Sequence, residues 1–204
     1  MIAVEVGLEV CLREPPDLLK RSRFGLLCNQ ASLDRDFQYA HHLLAAKFPK
    51  QLKAIFSPQH GFFGVEQANM IESGHGVDRK LGVPIYSLYS ETRKPTPEML
   101  GGLDLFVVDL QDVGTRIYTF IWTVVHCMEA CKAAGIPVLI LDRPNPIGGI
   151  LVEGPMLDPA FKSFVGLAPI PMRHGLTIAE LALYCNELLK IGAEVHVVAS
   201  QTVP

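Results

Sequence analysis

The chain has 204 residues, room for one large domain at the usual size of about 150 residues but not for two. Hydrophobic residues make up 49% of it and charged residues 19%, which excludes disorder for the bulk of the chain and supplies a substantial core. Its 18 basic residues against 21 acidic ones give a net charge of -3, so no electrostatic footprint for nucleic acid or an anionic membrane exists, and a small neutral or mildly polar ligand fits better.

The N-terminus, Met1-Ile2-Ala3-Val4-Glu5, has neither the basic nor the apolar region of a signal peptide, and the expected location is the cytoplasm. Phe24 to Cys28 reads as a buried strand, Asp36 to Phe48 carries Phe37, Ala40, Leu43 and Leu44 at helical spacing, and Leu52 to Phe56 is a second strand, which completes a βαβ unit. A long loop with Gly61, Gly64, Gly74, Gly76 and Gly82 follows. Pro84 to Leu88 is a third strand, Thr96-Pro97-Glu98 opens a short helix, and Leu103 to Asp109 is a β-branched fourth strand. Thr115 to Ala134 has the pattern of an amphipathic helix stopped by Gly135 and Pro137. It is also the longest candidate for a membrane span, and His126, Glu129 and Lys132 interrupt it too often for that. Val138 to Leu141 is a strand, a proline-rich connection covers residues 142–176, Thr177 to Lys190 is a helix with a Thr177/Glu180 capping box, and Glu194 to Ala199 is a last strand.

Near-continuous apolar strands alternating with helices predict an open, doubly wound α/β fold, a mostly parallel sheet of five or six strands with helices on both faces. Cys11, Cys28, Cys127, Cys131 and Cys185 are odd in number and lack zinc-ligand spacing, so they read as buried thiols. His60, His75 and His174 also lack metal-site spacing. The chain contains no G-x-G-x-x-G after the first strand, no phosphate-binding P-loop and no G-x-S-x-G, which leaves nucleotide-dependent oxidoreductases and α/β-hydrolases without support.

Ligands of open parallel sheets bind beyond the carboxyl ends of the strands. Here those ends are polar: Asn29 after the first strand, Gln59 and His60 after the second, Gln111, Asp112 and Arg116 after the fourth, and Asp142, Arg143 and Asn145 after the fifth. Each has an ordinary structural use as a cap, an Asx-turn or an ion pair, but as a set they predict a concave, amide- and carboxylate-rich site. Tyr118 and Trp122, four residues apart, are either an aromatic wall for a sugar ring or core. Glycosidic cleavage needs a carboxylic acid to protonate the leaving oxygen and usually a second carboxylate; Glu66, Glu72, Asp109, Asp112, Asp142 and Glu153 lie in or near the rim.

The segments Phe56-Ser-Pro-Gln-His-Gly61, Pro84-Ile-Tyr-Ser-Leu-Tyr89, Pro95-Thr-Pro-Glu-Met-Leu100, Asp109-Leu-Gln-Asp-Val-Gly-Thr-Arg116, Leu141-Asp-Arg-Pro-Asn-Pro146, Val152-Glu-Gly-Pro155, Ser163-Phe-Val-Gly166 and Pro171-Met-Arg-His-Gly175 resemble, in order, the motifs of the exo-β-N-acetylmuramidase NamZ family. That resemblance implies a Rossmann-like, three-layer α/β/α domain spanning residues 1–204, with the family's smaller C-terminal domain absent or truncated. It also implies a glycoside hydrolase that releases terminal N-acetylmuramic acid from the non-reducing end of peptidoglycan fragments, with no metal and no organic cofactor; some family members are exported. The expected partner is a muropeptide or muramic-acid-terminated glycan, and an exposed apolar face, near the C-terminal strand or residues 150–170, predicts self-association.

The family's motif reads Ser-Pro-Glu-His-Gly, with the glutamate as the favoured acid, whereas this chain has Gln59. Glu66, Glu72, Asp112 and His60 are therefore the catalytic candidates, and Asn29, Gln59, Gln111, Arg116, Asp142, Arg143, Asn145, Glu153 and His174 the substrate-binding ones. The alternative is a peptidoglycan- or sugar-binding domain weakened in hydrolysis.

Overall fold

The structure is a computed structural model that describes residues 3–64 and 72–203. In chain order its elements are β1 (Ala3–Glu5), α1 (Gly7–Arg13), α2 (Asp17–Lys20), β2 (Phe24–Leu27), α3 (Ala40–Lys47), β3 (Leu52–Ser57), β4 (Gly76–Val77), β5 (Pro84–Ser87), α4 (Pro97–Leu100), β6 (Leu105–Val108), α5 (Phe120–Ala134), β7 (Val138–Leu141), a 3-10 turn at Pro159–Phe161, α6 (Ile178–Leu188), β8 (Val195–Val198) and β9 (Gln201–Val203).

Every residue of β2, β6 and β7 is buried, as strands covered on both faces must be. The sheet runs β4-β5-β3-β2-β6-β7-β8 and is parallel except for β4, a two-residue antiparallel edge strand on β5. It is one strand wider than the sequence predicts, because β4 is too short to carry a periodic signal. The chain builds outward from β2 through β3 to β5, then crosses back to β6 on the other side of β2. That reversal makes β2/β6 the switch point, beyond which an α/β sheet opens a crevice.

Two apolar cores lie on opposite faces of the sheet. Leu8, Cys11, Leu19, Ala40 and Leu44 from α1, α2 and α3 pack on Leu26, Leu105, Val107 and Leu139, while Trp122, Met128 and Leu181 from α5 and α6 pack on Phe56, Phe106, Val108 and Ile140. Alternate residues of β6 thus serve alternate cores, which is the period-two geometry of a strand. This is the expected three-layer α/β/α arrangement. Truncating one of these large side chains to alanine costs about 2–5 kcal/mol.

Helix α6 starts where its capping box places it: Glu180 N donates to Thr177 Oγ1 at 3.3 Å and Thr177 N donates to Glu180 Oε2 at 2.8 Å. Helix α5 starts at Phe120, five residues later than its periodicity suggests. Arg116 N donates to Met172 O at 2.8 Å and Thr115 bridges Arg173, so Thr115 and Arg116 pair with the long 142–176 connection, and the helix begins only beyond them. Sequence reading also passed over α1, α2 and the separate β1–β9 ribbon, whose partners lie at opposite ends of the chain. Residues 147–165 expose Ile150, Leu151, Val152, Met156, Phe161 and Val165. No helix among the described residues is long and apolar enough to cross a membrane.

Candidate active site

Beyond the carboxyl end of β3 the backbone turns sharply at His60 and Gly61, with φ of 73° and 75°. A left-handed histidine is strained, and such strain persists where the surroundings demand it, most often at functional sites. The turn leaves Gln59 and His60 on the wall of a cleft of about 660 Å³, within the roughly 300–1,000 Å³ usual for small-molecule sites. Tyr89 beyond β5, residues 115 and 117–120 ahead of and at the start of α5, and Phe164 and Val165 complete it.

The cleft is rich in aromatic side chains. Tyr89 and Phe164 lie 5.8 Å apart between ring centres, Tyr118 and Phe120 4.5 Å apart, and the Arg93 guanidinium stacks 3.7 Å over Tyr89. Tyr118 joins the wall, whereas Trp122 is fully buried in the core with its indole N-H donating to Arg116 O at 2.9 Å. The two readings of that pair thus divide between its members. Thr119 Oγ1 donates to Gln59 Oε1 at 2.8 Å, which fixes the amide and turns its two N-H donors to other uses. No aspartate or glutamate is among the described residues lining the cleft, and no set of three metal-ligating side chains gathers there.

Behind this wall lies a buried acid and base. Asp112, 2% exposed, accepts from Gly114 N at 2.7 Å, and His174 Nε2 stands 3.2 Å from the same Oδ1 without hydrogen-bond alignment. His174 Nδ1 accepts from Leu176 N at 3.2 Å, so a neutral ring carries its proton on Nε2, facing the carboxylate. Asp112 Oδ2 and His174 Nε2 are buried without a hydrogen bond among the described residues, an arrangement that costs stability. Burial first, and then the charge of Asp112, raise the Tyr118 pKa and keep its phenol protonated.

The remaining strand-end residues are engaged elsewhere. Asn29 Oδ1 accepts from Ala31 N in an Asx-turn, and Gln111 Nε2 donates to the carbonyls of Asp112 and Pro144. Arg116 Nη1 donates to the carbonyls of Pro155 and Ile170, pinning the 142–176 connection under the cleft. Asp142 accepts from Ala179 N at the start of α6, and burial raises its pKa against those hydrogen bonds. Arg143 grips the fully buried Asp109 with two hydrogen bonds of 2.6 and 2.9 Å and donates to Leu33 O. Asn145 donates to Leu176 O and lines a second depression of about 440 Å³ with Thr177, Glu180 and Gln201. Glu153 pairs with Arg173 at the surface, Glu72 is exposed, and Glu66 falls outside the described residues. The structure therefore brings Gln59 and His60 together in one cleft, sets Asp112 and His174 behind it, and places Asn145 at another depression. Thr119 and Phe120 are cleft residues that sequence reasoning missed, because helical periodicity assigned that stretch to packing.

The sequence profile described as "Exo-beta-N-acetylmuramidase NamZ, N-terminal" matches residues 24–203. The peptidoglycan β-N-acetylmuramidase NamZ of Bacillus subtilis (strain 168) is 47% identical over 195 residues, which is 96% of this chain and 47% of that protein. Two solved structures of DUF1343 family proteins from Bacteroides fragilis NCTC 9343 each align with 98% of the chain. One has a TM-score of 0.88 at 36% identity and the other 0.79 at 37%, covering 51% and 52% of those chains. The chain thus spans about half the length of the relatives it matches.

Proposed function

This chain belongs to the exo-β-N-acetylmuramidase NamZ family, and on that footing we propose that it acts as a glycoside hydrolase releasing terminal N-acetylmuramic acid from the non-reducing end of peptidoglycan fragments, slowed by the amide at position 59. The observation that carries this reading is the placement of Gln59 and His60, from the Phe56–Gly61 motif, on the wall of a sugar-sized cleft rich in aromatic side chains. Tyr118, Phe120 and Phe164 offer ring faces to the apolar side of a pyranose, and the Gln59 amide offers N-H donors to a hydroxyl or acetamido oxygen.

Cleavage of the glycosidic bond requires a proton on the leaving oxygen as the bond from the anomeric carbon breaks, and water completes the product. An amide has no proton to give at neutral pH. Loss of general-acid catalysis costs typically about 10²- to 10⁴-fold, so turnover here depends on a substitute acid such as Glu66 or Glu72 from the glycine-rich loop. Gln59 also favours the second reading, a sugar-binding domain weakened in hydrolysis, which uses the same cleft.

Titration calorimetry with N-acetylmuramic acid tests the shared premise. Wild type should bind one sugar per chain, and Phe164→Ala should weaken binding about two- to twelvefold by removing a stacking face worth about 0.5–1.5 kcal/mol. No binding, or binding indifferent to Phe164→Ala and Tyr118→Ala, would overturn the placement.

A further inference from the structure

On the sheet face opposite α5, two histidines and an aspartate converge at the edge strands. His41 and His42 lie in the first turn of α3, and Asp78 sits in the turn between β4 and β5. One ligand atom from each lies within 4.8 Å of the other two.

We propose that His41, His42 and Asp78 form a binding site for one transition-metal ion of the Zn²⁺ class, which fastens the β4–β5 hairpin to α3. His41 Nε2 and Asp78 Oδ2 are 3.6 Å apart. That is too long for a hydrogen bond but close to the roughly 3.4 Å edge of a tetrahedron whose ligands stand about 2.0–2.1 Å from zinc. Asp78 Oδ1 accepts from the backbone N-H groups of Lys80 and Leu81 at 2.9 and 2.8 Å, so the carboxylate is held from behind with Oδ2 toward the histidine. Such outer hydrogen bonding is how proteins orient a metal-ligating carboxylate.

The surroundings suit the ion. His41 and Asp78 are 3% and 8% exposed, and the Phe62 ring meets His41 edge-on with centres 5.0 Å apart. Tyr39 lies against both imidazoles, whose own centres are 4.1 Å apart. In the metal-free protein, burial, reinforced by the neighbouring His42, holds the His41 pKa down at about 4. Two imidazoles and one carboxylate favour zinc, cobalt, nickel or copper over magnesium or calcium, and three protein ligands leave a fourth position for water. The ion would also brace the turn that carries His60, two residues from Phe62. This site stands apart from the cleft and does not depend on the function proposed for it.

The test is calorimetric titration of the chelator-stripped 204-residue chain with Zn²⁺, with Co²⁺ as a visible-absorption probe of coordination. The expected result is one ion per chain, a rise in Tm with Zn²⁺, and a tetrahedral Co²⁺ spectrum. Asp78→Asn keeps an oxygen for the Lys80 and Leu81 N-H groups, and His42 is only half-buried, so Asp78→Asn and His42→Gln should fold yet each weaken Zn²⁺ binding at least tenfold. All five cysteines are buried and do not compete in the folded chain. His196, paired with Glu194 at the surface, is the control. Absence of uptake by folded wild type, or uptake lost in His196→Gln but kept in Asp78→Asn and His42→Gln, would overturn the proposal.

Discussion

Replacing Arg143 by methionine should remove about 3–5 kcal/mol of stability, because it leaves the carboxyl group of Asp109 fully buried and unpaired. Asp109 is 0% exposed, and Arg143 gives it two hydrogen bonds of 2.6 and 2.9 Å beneath the β2/β6 switch point. Burial opposes the charge on Arg143, but the attraction and hydrogen bonds of Asp109 prevail and its pKa is raised. Native domains keep only about 5–15 kcal/mol in total, so the loss is a large share. With an m-value of about 2–3 kcal/mol/M in urea, the midpoint of Arg143→Met should fall by about 1–2.5 M. The double variant Arg143→Met/Asp109→Asn should recover much of the loss, since the penalty is the orphaned carboxyl group and not the missing pair. A single variant within about 0.5 kcal/mol of wild type, or a double variant less stable than the single, would refute this reasoning and return Arg143 to the pool of free sugar ligands.

Three further outcomes follow from burial and close contact. Burial pushes the thiols of Cys11, Cys131 and Cys185 up to about 12 and those of Cys28 and Cys127 well above the usual thiol range, so a thiol-specific disulfide reagent at pH 8 should label none of the five in native protein and all five in denaturant. A Cβ on Gly7 would stand 2.3 Å from Asp142 N and 2.5 Å from Val198 O, both backbone, so Gly7→Ala should push α1 off the sheet and cost at least about 2 kcal/mol by urea unfolding. In chelator, stability should fall as pH drops from about 6.5 to about 4: unfolded His41 takes up a proton across that range while the folded ring, with its pKa at about 4, does not. The full effect is about 3 kcal/mol, and His41→Gln should flatten that part of the pH profile.

The fold was legible where burial on both faces dictates residue type. Strands β2, β6 and β7 are continuous apolar runs because a covered parallel sheet tolerates little else, β3 departs from that pattern only at Lys53 and Ser57, and α6 announces itself through Thr177 and Glu180. The start of α5 was not legible, since the pairing of Thr115 and Arg116 with the 171–173 segment overrides local helical periodicity from more than fifty residues away. The β1–β9 ribbon fails for the same reason.

Polar strand ends pointed to the carboxyl edge of the sheet, where the cleft opens, without separating cleft-lining groups from structural ones. Asp142 and Asn145 are suited to either task, and the choice depends on whether a backbone N-H or carbonyl lies within reach, as Ala179 N and Leu176 O do. His41 and His42 escaped notice because their third partner, Asp78, is distant in sequence and becomes a neighbour only through the β4–β5 turn.

The account rests most directly on Gln59 occupying the position of the catalytic acid. The measurement is release of chromogen from an N-acetylmuramic acid glycoside by wild type and Gln59→Glu, each joined to the C-terminal half of the Bacillus subtilis relative. The account predicts turnover by Gln59→Glu about 10²- to 10⁴-fold above wild type, the usual worth of a general acid. Equal rates in the two proteins, whether both fast or both absent, would contradict it.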